Sequence, residues 1–199
     1  MPRRPARLHR PKRPAPAAVR QAVRPAPASL QVVIWPAPVL KRIARPVTEF
    51  DPWLNQVIDR MISLMIEHEG VGLAAPQVGL PLRLFIMSPT GKAEDVRVII
   101  NPVISAPQGE EEKEEGCLSL PDIRAKITRA LKLELSGLGR DAAPFAQTLE
   151  GYPARIVQHE IDHLDGILIL DRMSALARMS LRQEIRKLQQ AAENAEDAA

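Results

Sequence analysis

The sequence predicts a single α+β domain, and three observations carry that. Leu54, Val57, Ile58, Met61, Ile62 and Met65 recur at three- and four-residue steps, the mark of an amphipathic helix over about 52–67. The middle of the chain reads as strand and turn, with strands around 82–87, 96–100 and 131–135. Helical patterns then return at about 154–164 and 172–193. Helix, strands, buried helix and terminal helix, in that order, give one α+β unit.

Each element has a local reason. Leu30–Trp35 is a short apolar run, expected to open the ordered body as a strand, and Pro36-Ala37-Pro38 ends it. Thr48 or Asp51 can cap the first helix, whose methionines read as core. Gly70–Gly79 is a small-residue loop, and 109–115 is expected to be a charged connection. Gly166 offers a stop for the helix that starts at Ala154. Leu176, Met179, Leu181, Ile185 and Leu188 form the apolar stripe of the last helix.

Composition narrows the function classes. Of 199 residues 45% are hydrophobic but only 3% aromatic, so Leu, Ile, Val and Ala must build the core. No apolar run approaches the roughly 18–20 residues that span a bilayer. The one cysteine, Cys117, excludes a disulfide within the chain and suits a reducing compartment. Eleven Lys or Arg and no acidic residue precede Glu49; sixteen basic and twenty-four acidic residues follow from there, a net of −8. The body is therefore acidic, and nothing marks it as a DNA-binding domain. Residues 1–28 hold seven of the 19 prolines among Arg, Lys and Ala, and read as a disordered basic tail. They lack the apolar core of a secretory signal. A transit peptide suits the arginines but not the prolines; contact with RNA or another polyanion comes second to plain solvation.

The strongest chemical signal is His159-Glu160-Ile161-Asp162-His163. Residues four apart share one helix face, so two imidazoles can meet one metal ion, with Glu160 beside them as a base. A catalytic site needs a third protein ligand and one position left for water. Six residues past His163 stands Ile169, which cannot bind metal, so the three-histidine arrangement is excluded. Glu184, 21 residues on, has the spacing of a zinc endopeptidase ligand but lies in an amphipathic helix. Cys117, in Glu115-Gly116-Cys117-Leu118-Ser119, is a soft donor that suits Zn or Fe(II), although a lone cysteine by itself reads as a small buried hydrophobe. A third segment, Gly70-Val71-Gly72-Leu73-Ala74-Ala75-Pro76-Gln77, leaves room for a substrate backbone and offers the Gln77 amide to an oxyanion. It lacks the Lys-Ser/Thr ending of a phosphate loop.

These three segments, in this order, resemble the three signature motifs of the peptide deformylase family, G-x-G-x-A-A-x-Q, E-G-C-L-S and H-E-x-x-H. The resemblance covers about 30–173 and implies antiparallel sheets packed around the helix that carries His159 and His163, with a C-terminal helix after them. It implies Cys117 as third ligand with His159 and His163, around one divalent ion per chain. Fe(II) is the family's usual metal; Zn, Ni or Co can take its place. It implies Glu160, Gln77 and the Leu118 backbone N–H as the catalytic groups. Val71, Leu118 and Ile156 would form the methionine slot, and Gly72 and Gly116 would pair with the substrate main chain. Arg124 matches a family arginine near the substrate, though a solvated arginine fits as well.

The implied activity is removal of the formyl group from the N-terminal methionine of new proteins, in the cytoplasm or else a mitochondrion or plastid. The implied partners are formyl-methionyl nascent peptides, with neither membrane nor DNA. A transient ribosome contact fits the basic face of Arg178, Arg182, Arg186 and Lys187, which a solvated face explains equally. Asp162 and Asp165 read first as helix-surface carboxylates, and as supports for the ligands second. Arg155 is expected at solvent or against the substrate's second residue. Two rivals remain: a zinc endopeptidase using Glu184, and an inactive relative that only binds.

Overall fold

The computed structural model describes residues 24–197. Helix α1, Pro52–Glu67, starts at Asp51, whose side chain accepts from the Leu54 N–H at 2.9 Å. It buries Leu54, Val57, Ile58, Met61, Leu64 and Met65. Its apolar face packs on two strands that follow, β1 (Gly72–Ala74) and β2 (Leu84–Met87). Strands β3 (Arg97–Gln108), β6 (Lys132–Leu138) and β7 (Pro144–Glu150) complete an antiparallel five-stranded sheet in the order β1-β2-β3-β6-β7. Strands β4 (Glu111–Cys117) and β5 (Leu120–Arg129) form a separate two-stranded hairpin.

Helix α2, Tyr152–Leu164, lies between these sheets. Ala154, Ile156, Val157, Ile161 and Leu164 pack on Phe85, Met87, Ile99, Leu133, Leu135 and Leu149 of the large sheet. The helix ends in a left-handed turn: the Gly166 N–H reaches the His163 carbonyl at 3.3 Å and the Ile167 N–H reaches that of Asp162 at 2.8 Å. Gly166 has φ +72°, and a Cβ there would stand 2.7 Å from the Lys41 carbonyl oxygen. The expected helix stop is therefore a docking point as well.

The structure corrects five expectations. Leu30–Trp35 is not a strand: its amides reach two different segments, Val33 to the Gln77 carbonyl and Trp35 to that of Ser119, so no ladder forms. The charged stretch 109–115 is mostly strand β4. Glu112 and Glu114 form its wet face, Glu115 is buried, and the other strand of the hairpin buries Ile123, Ala125, Ile127 and Arg129 at every second residue. The expected helix 172–193 is interrupted: α3 (Ile169–Arg172) ends where it should start, Ser174 caps α4 (Ala175–Ser180) by accepting from the Ala177 N–H, and a turn at Leu181 separates α4 from α5 (Arg182–Asp197). Leu176 and Met179 face solvent, and only Ile185 of that stripe is buried. Of the tail 1–28, residues 1–23 lie outside the described residues. Residues 24–28 are placed, with Arg24 paired to Glu49 and Asp51 and stacked over Trp53 at 4.6 Å.

Gly166→Ala combines a disfavoured positive φ with a collision against fixed backbone. It is expected to destabilise the fold by about 2–3 kcal/mol, read as a lowered urea midpoint.

Candidate active site

Three pieces of backbone converge on one cleft of about 430 Å³. Helix α2 brings His159, Glu160 and His163. The end of β4 brings Glu115, Gly116 and Cys117. The loop through β1 brings Val71, Gly72 and Gln77. The hairpin ladder shifts register between Gly116 and Cys117, and the thiol there faces His163 on α2.

The nitrogen and sulfur donors of Cys117, His159 and His163 all lie within 4.8 Å of one another. Cys117 Sγ stands 3.3 Å from His163 Nε2, and the two imidazole rings meet edge to face at 5.0 Å. Among the described residues this is the group suited to a metal ion. Glu184 is outside it, on α5, and does not line the cleft. One thiolate and two imidazoles suit Zn or Fe(II).

Glu115 fixes the geometry. Its Oε1 accepts from Arg129 Nε at 3.0 Å and Arg155 Nη1 at 2.7 Å; its Oε2 lies 3.0 Å from both Arg129 Nη2 and His159 Nδ1. Burial alone would raise this carboxyl, but His159 and Arg129 hold it at about 2 against its ordinary 4.5. An ionised carboxylate only accepts, so His159 must carry its proton on Nδ1, leaving the Nε2 lone pair for a ligand. Burial disfavours a charged His159, yet the Cys117 sulfur and Glu115 raise it well above the usual range. Burial, with His159 and Arg129, pushes His163 well below it.

Glu160 is 3% exposed and its Oε2 has no hydrogen-bond partner among the described residues. Burial raises its pKa from 4.5 to about 7. Gly72 makes room for it: a Cβ there would come within 2.2 Å of Glu160 Oε1. Gln77 is also buried. Its Oε1 accepts from the Ala74 N–H at 2.8 Å, which aims Nε2 at Ser119 Oγ (3.3 Å) and Cys117 Sγ (3.5 Å). The amide N–H₂ therefore faces the ligand set.

Val71, Leu118, Ile156, Gly116 and Arg124 all line the same cleft, Arg124 at its wet rim with a side chain 72% exposed. His163 lies beneath the lining, 1% exposed. Two expectations are corrected. Arg155 lines the cleft but neither faces solvent nor stands free for a substrate, because Glu115 and the Ile127 and Glu111 carbonyls hold its buried guanidinium. Asp162 is not a surface carboxylate: it is buried and paired with Arg129 and Arg172. Asp165 is the surface residue, paired with Arg83 at 2.7 Å. Tyr152, at the start of α2, joins the lining unforeseen. The roles of Glu115 and Arg129 were also missed. The one available signal was an arginine at an inward position of an alternating strand.

The family model described as Polypeptide deformylase matches residues 29–179. The chain is 45% identical to a peptide deformylase of Acidobacterium capsulatum over 157 residues, 78% of this chain and 92% of the relative. It is 43% identical to one of Rhodopirellula baltica over 136 residues, 67% of this chain and 68% of the relative. In structure it is similar to a peptide deformylase from Legionella pneumophila, with TM-score 0.77 and 40% identity over 82% of this chain and 97% of that one. The Thermotoga maritima enzyme gives 0.70 and 42%, over 73% and 97%.

Because the folded-state pKa of Glu115 is depressed, its contribution to stability is present above about pH 4.5 and lost as pH falls toward 2. Metal-stripped protein should lose on the order of 3 kcal/mol over that range through this group. Glu115→Gln, less stable at neutral pH, should show a flatter acid limb in urea unfolding.

Proposed function

The chain belongs to the peptide deformylase family, enzymes that take the N-formyl group off an N-terminal methionine, and on that premise we propose that it deformylates newly made proteins with the side chains gathered in this cleft. The observation that carries the assignment of roles is the Cys117–His159–His163 donor set with the unpartnered Glu160 carboxyl on the same helix.

The metal is one Fe(II) per chain, with Zn, Ni or Co suiting the same donors. Held by Cys117, His159 and His163, it would supply a Lewis acid that acidifies water and polarises the formyl carbonyl. Glu160 accepts the proton of the attacking water and hands it to the departing amine as the C–N bond breaks, leaving formate and a free N-terminus. A pKa near 7 suits a group that must do both. Gln77 Nε2 and the Leu118 backbone N–H donate to the developing oxyanion, and Gln77 is pre-aimed by its bond to Ala74.

Strand β1 is an edge of its sheet and β4 is half of a two-stranded hairpin, so both have unpaired flanks. Gly72 and Gly116 on those flanks receive the substrate main chain as an added strand. Val71, Leu118 and Ile156 take the methionine side chain, and Arg124 meets residues beyond it. The catalytic domain is 29–199, with 24–28 docked beside α1 and a basic, Pro-rich stretch of sequence before them. No helix of the described residues is long and apolar enough to cross a membrane, and with its lone half-buried thiol at the site the protein suits the reducing cytoplasm.

Formate release from formyl-Met-Ala-Ser, measured with metal analysis, tests the roles. Cys117→Ala should lose metal and turnover together. Glu160→Gln should keep metal and lose at least about a hundredfold in kcat. Metal retained in Cys117→Ala would overturn the ligand assignment, and near-normal turnover in Glu160→Gln would overturn the base. Activity should fall on the acid side with a midpoint at or below pH 7, because a dication beside Glu160 favours its ionised form.

Ribosome contact is a second proposal, supported by exposed Arg178, Arg182, Arg186 and Lys187 on α4 and α5. Cosedimentation with ribosomes should weaken when these are replaced by Gln. Cosedimentation that survives loss of both this face and the tail would end the idea.

A further inference from the structure

We infer that Arg172 is a positioning residue for the metal ligand His159, acting through Asp162, Arg129 and Glu115. The inference rests on Cys117, His159 and His163 being the metal set.

The contacts form one unbroken chain from solvent to the ligand. Arg172, on α3, donates Nε to Asp162 Oδ2 at 2.7 Å and Nη2 to Oδ1. Asp162 Oδ2 also accepts from Arg129 Nη1 at 2.5 Å. Arg129 then grips Glu115 with Nε and Nη2, both at 3.0 Å, and Glu115 meets His159 Nδ1 at 3.0 Å. The three inner side chains are nearly dry, with side-chain exposures of 4% for Arg129, 6% for Glu115 and 8% for Asp162; that of Arg172 is 43%.

Arg129 is shared between two carboxylates that compete for it. Asp162 has two oxygens to satisfy, and among the described side chains Arg129 reaches only Oδ2. Arg172 covers Oδ1 and part of Oδ2. Without Arg172 the buried Asp162 would keep a single donor, and an under-satisfied buried carboxylate is costly. The cheapest relief is for Arg129 to swing toward it, which opens its two-pronged grip on Glu115 and loosens the bond that orients His159. A surface-accessible arginine on α3 would thus set the stiffness of a ligand reached through three salt bridges and the Glu115–His159 hydrogen bond. Neither the His-Glu-x-x-His motif nor the segment around Cys117 contains Arg172, so its part is visible only in three dimensions.

The test uses the full chain loaded with Co(II), whose visible absorption reports ligand geometry without any turnover. Arg172→Ala should weaken Co(II) binding roughly three- to tenfold, less than loss of a direct partner of a ligand, and alter the Co(II) band shape. Arg172→Lys, which keeps the charge, should restore most of both. Lys41→Ala, which breaks the Lys41–Asp171 pair on the same short helix, should leave both unchanged. If Arg172→Ala lowers only the melting temperature and leaves Co(II) affinity and spectrum as in the wild type, the inference fails. Should Arg172→Ala not fold, Arg172→Gln against Arg172→Lys makes the comparison, and equal Co(II) affinities overturn the idea. Wild-type protein that binds Co(II) but releases no formate would sink the proposed reaction and not this inference; wild-type protein that binds no Co(II) would sink the inference.

Discussion

A carboxylate withdrawn from water is costly unless its charge is met and its lone pairs are filled. Glu115 is nearly dry, and both conditions hold: two guanidinium groups meet the charge, and four hydrogen bonds occupy its two oxygens. Those bonds join the β4–β5 hairpin to α2, two units that pack little otherwise. Arg129 belongs to β5, while Arg155 and His159 belong to α2. Gly116 and Cys117 follow Glu115 directly in the chain. With Glu115 pinned to α2, the thiol comes up opposite the two imidazoles. The donor set is thus assembled by a salt-bridge joint between the hairpin and the helix rather than by the apolar core. Such a joint adds little net stability compared with an apolar one, but it tolerates few alternative geometries.

Sequence periodicity served well where apolar burial decides structure. Helix α1 emerges within its expected bounds, and α2 begins two residues earlier than expected, with Pro153 in its first turn. It served poorly where polar groups decide. Strand β4 is almost wholly charged, and its strand character comes from pairing with β5, whose inward residues Leu120, Ile123, Ala125 and Ile127 supply the apolar face for both. The last helix reads as continuous because neither its start at the Ser174 cap nor the turn at Leu181 between α4 and α5 carries a Gly or Pro. For Leu30–Trp35, apolar content was legible but pairing was not, since its amides go to the Gln77 and Ser119 carbonyls in two separate loops.

The residues that gather in the cleft were easier to pick out than the bounds of the elements that carry them, for a physical reason. A metal ligand, a base and an oxyanion donor must be particular residue types at particular spacings, and no other side chain substitutes for them. The supports are freer: a buried carboxylate can be satisfied by arginines from anywhere that packing allows. Arg129, Arg155 and Arg172 come from β5, α2 and α3, and nothing in their spacing along the chain forecasts that they meet Glu115 and Asp162. The misreading of Arg155 and Asp162 as exposed has the same origin. Charged residues on helices usually are exposed, and α2 is the exception because it is covered on both sides.

Glu160 shows what that enclosure is for. Most buried acids here are matched: Glu115 and Asp162 each have arginine partners. Glu160, two residues from Asp162 on the same helix, has none for its Oε2. The same helix therefore carries one carboxyl paired with arginines and one lifted toward neutrality by dryness. Gly72 protects that difference. A larger residue there would push the carboxyl out of its pocket and toward water, where its pKa would relax. The fold gives up a side chain on an edge strand and a satisfied buried oxygen, and what it keeps is a dry carboxyl with its pKa raised to about 7 on the helix that carries His159 and His163.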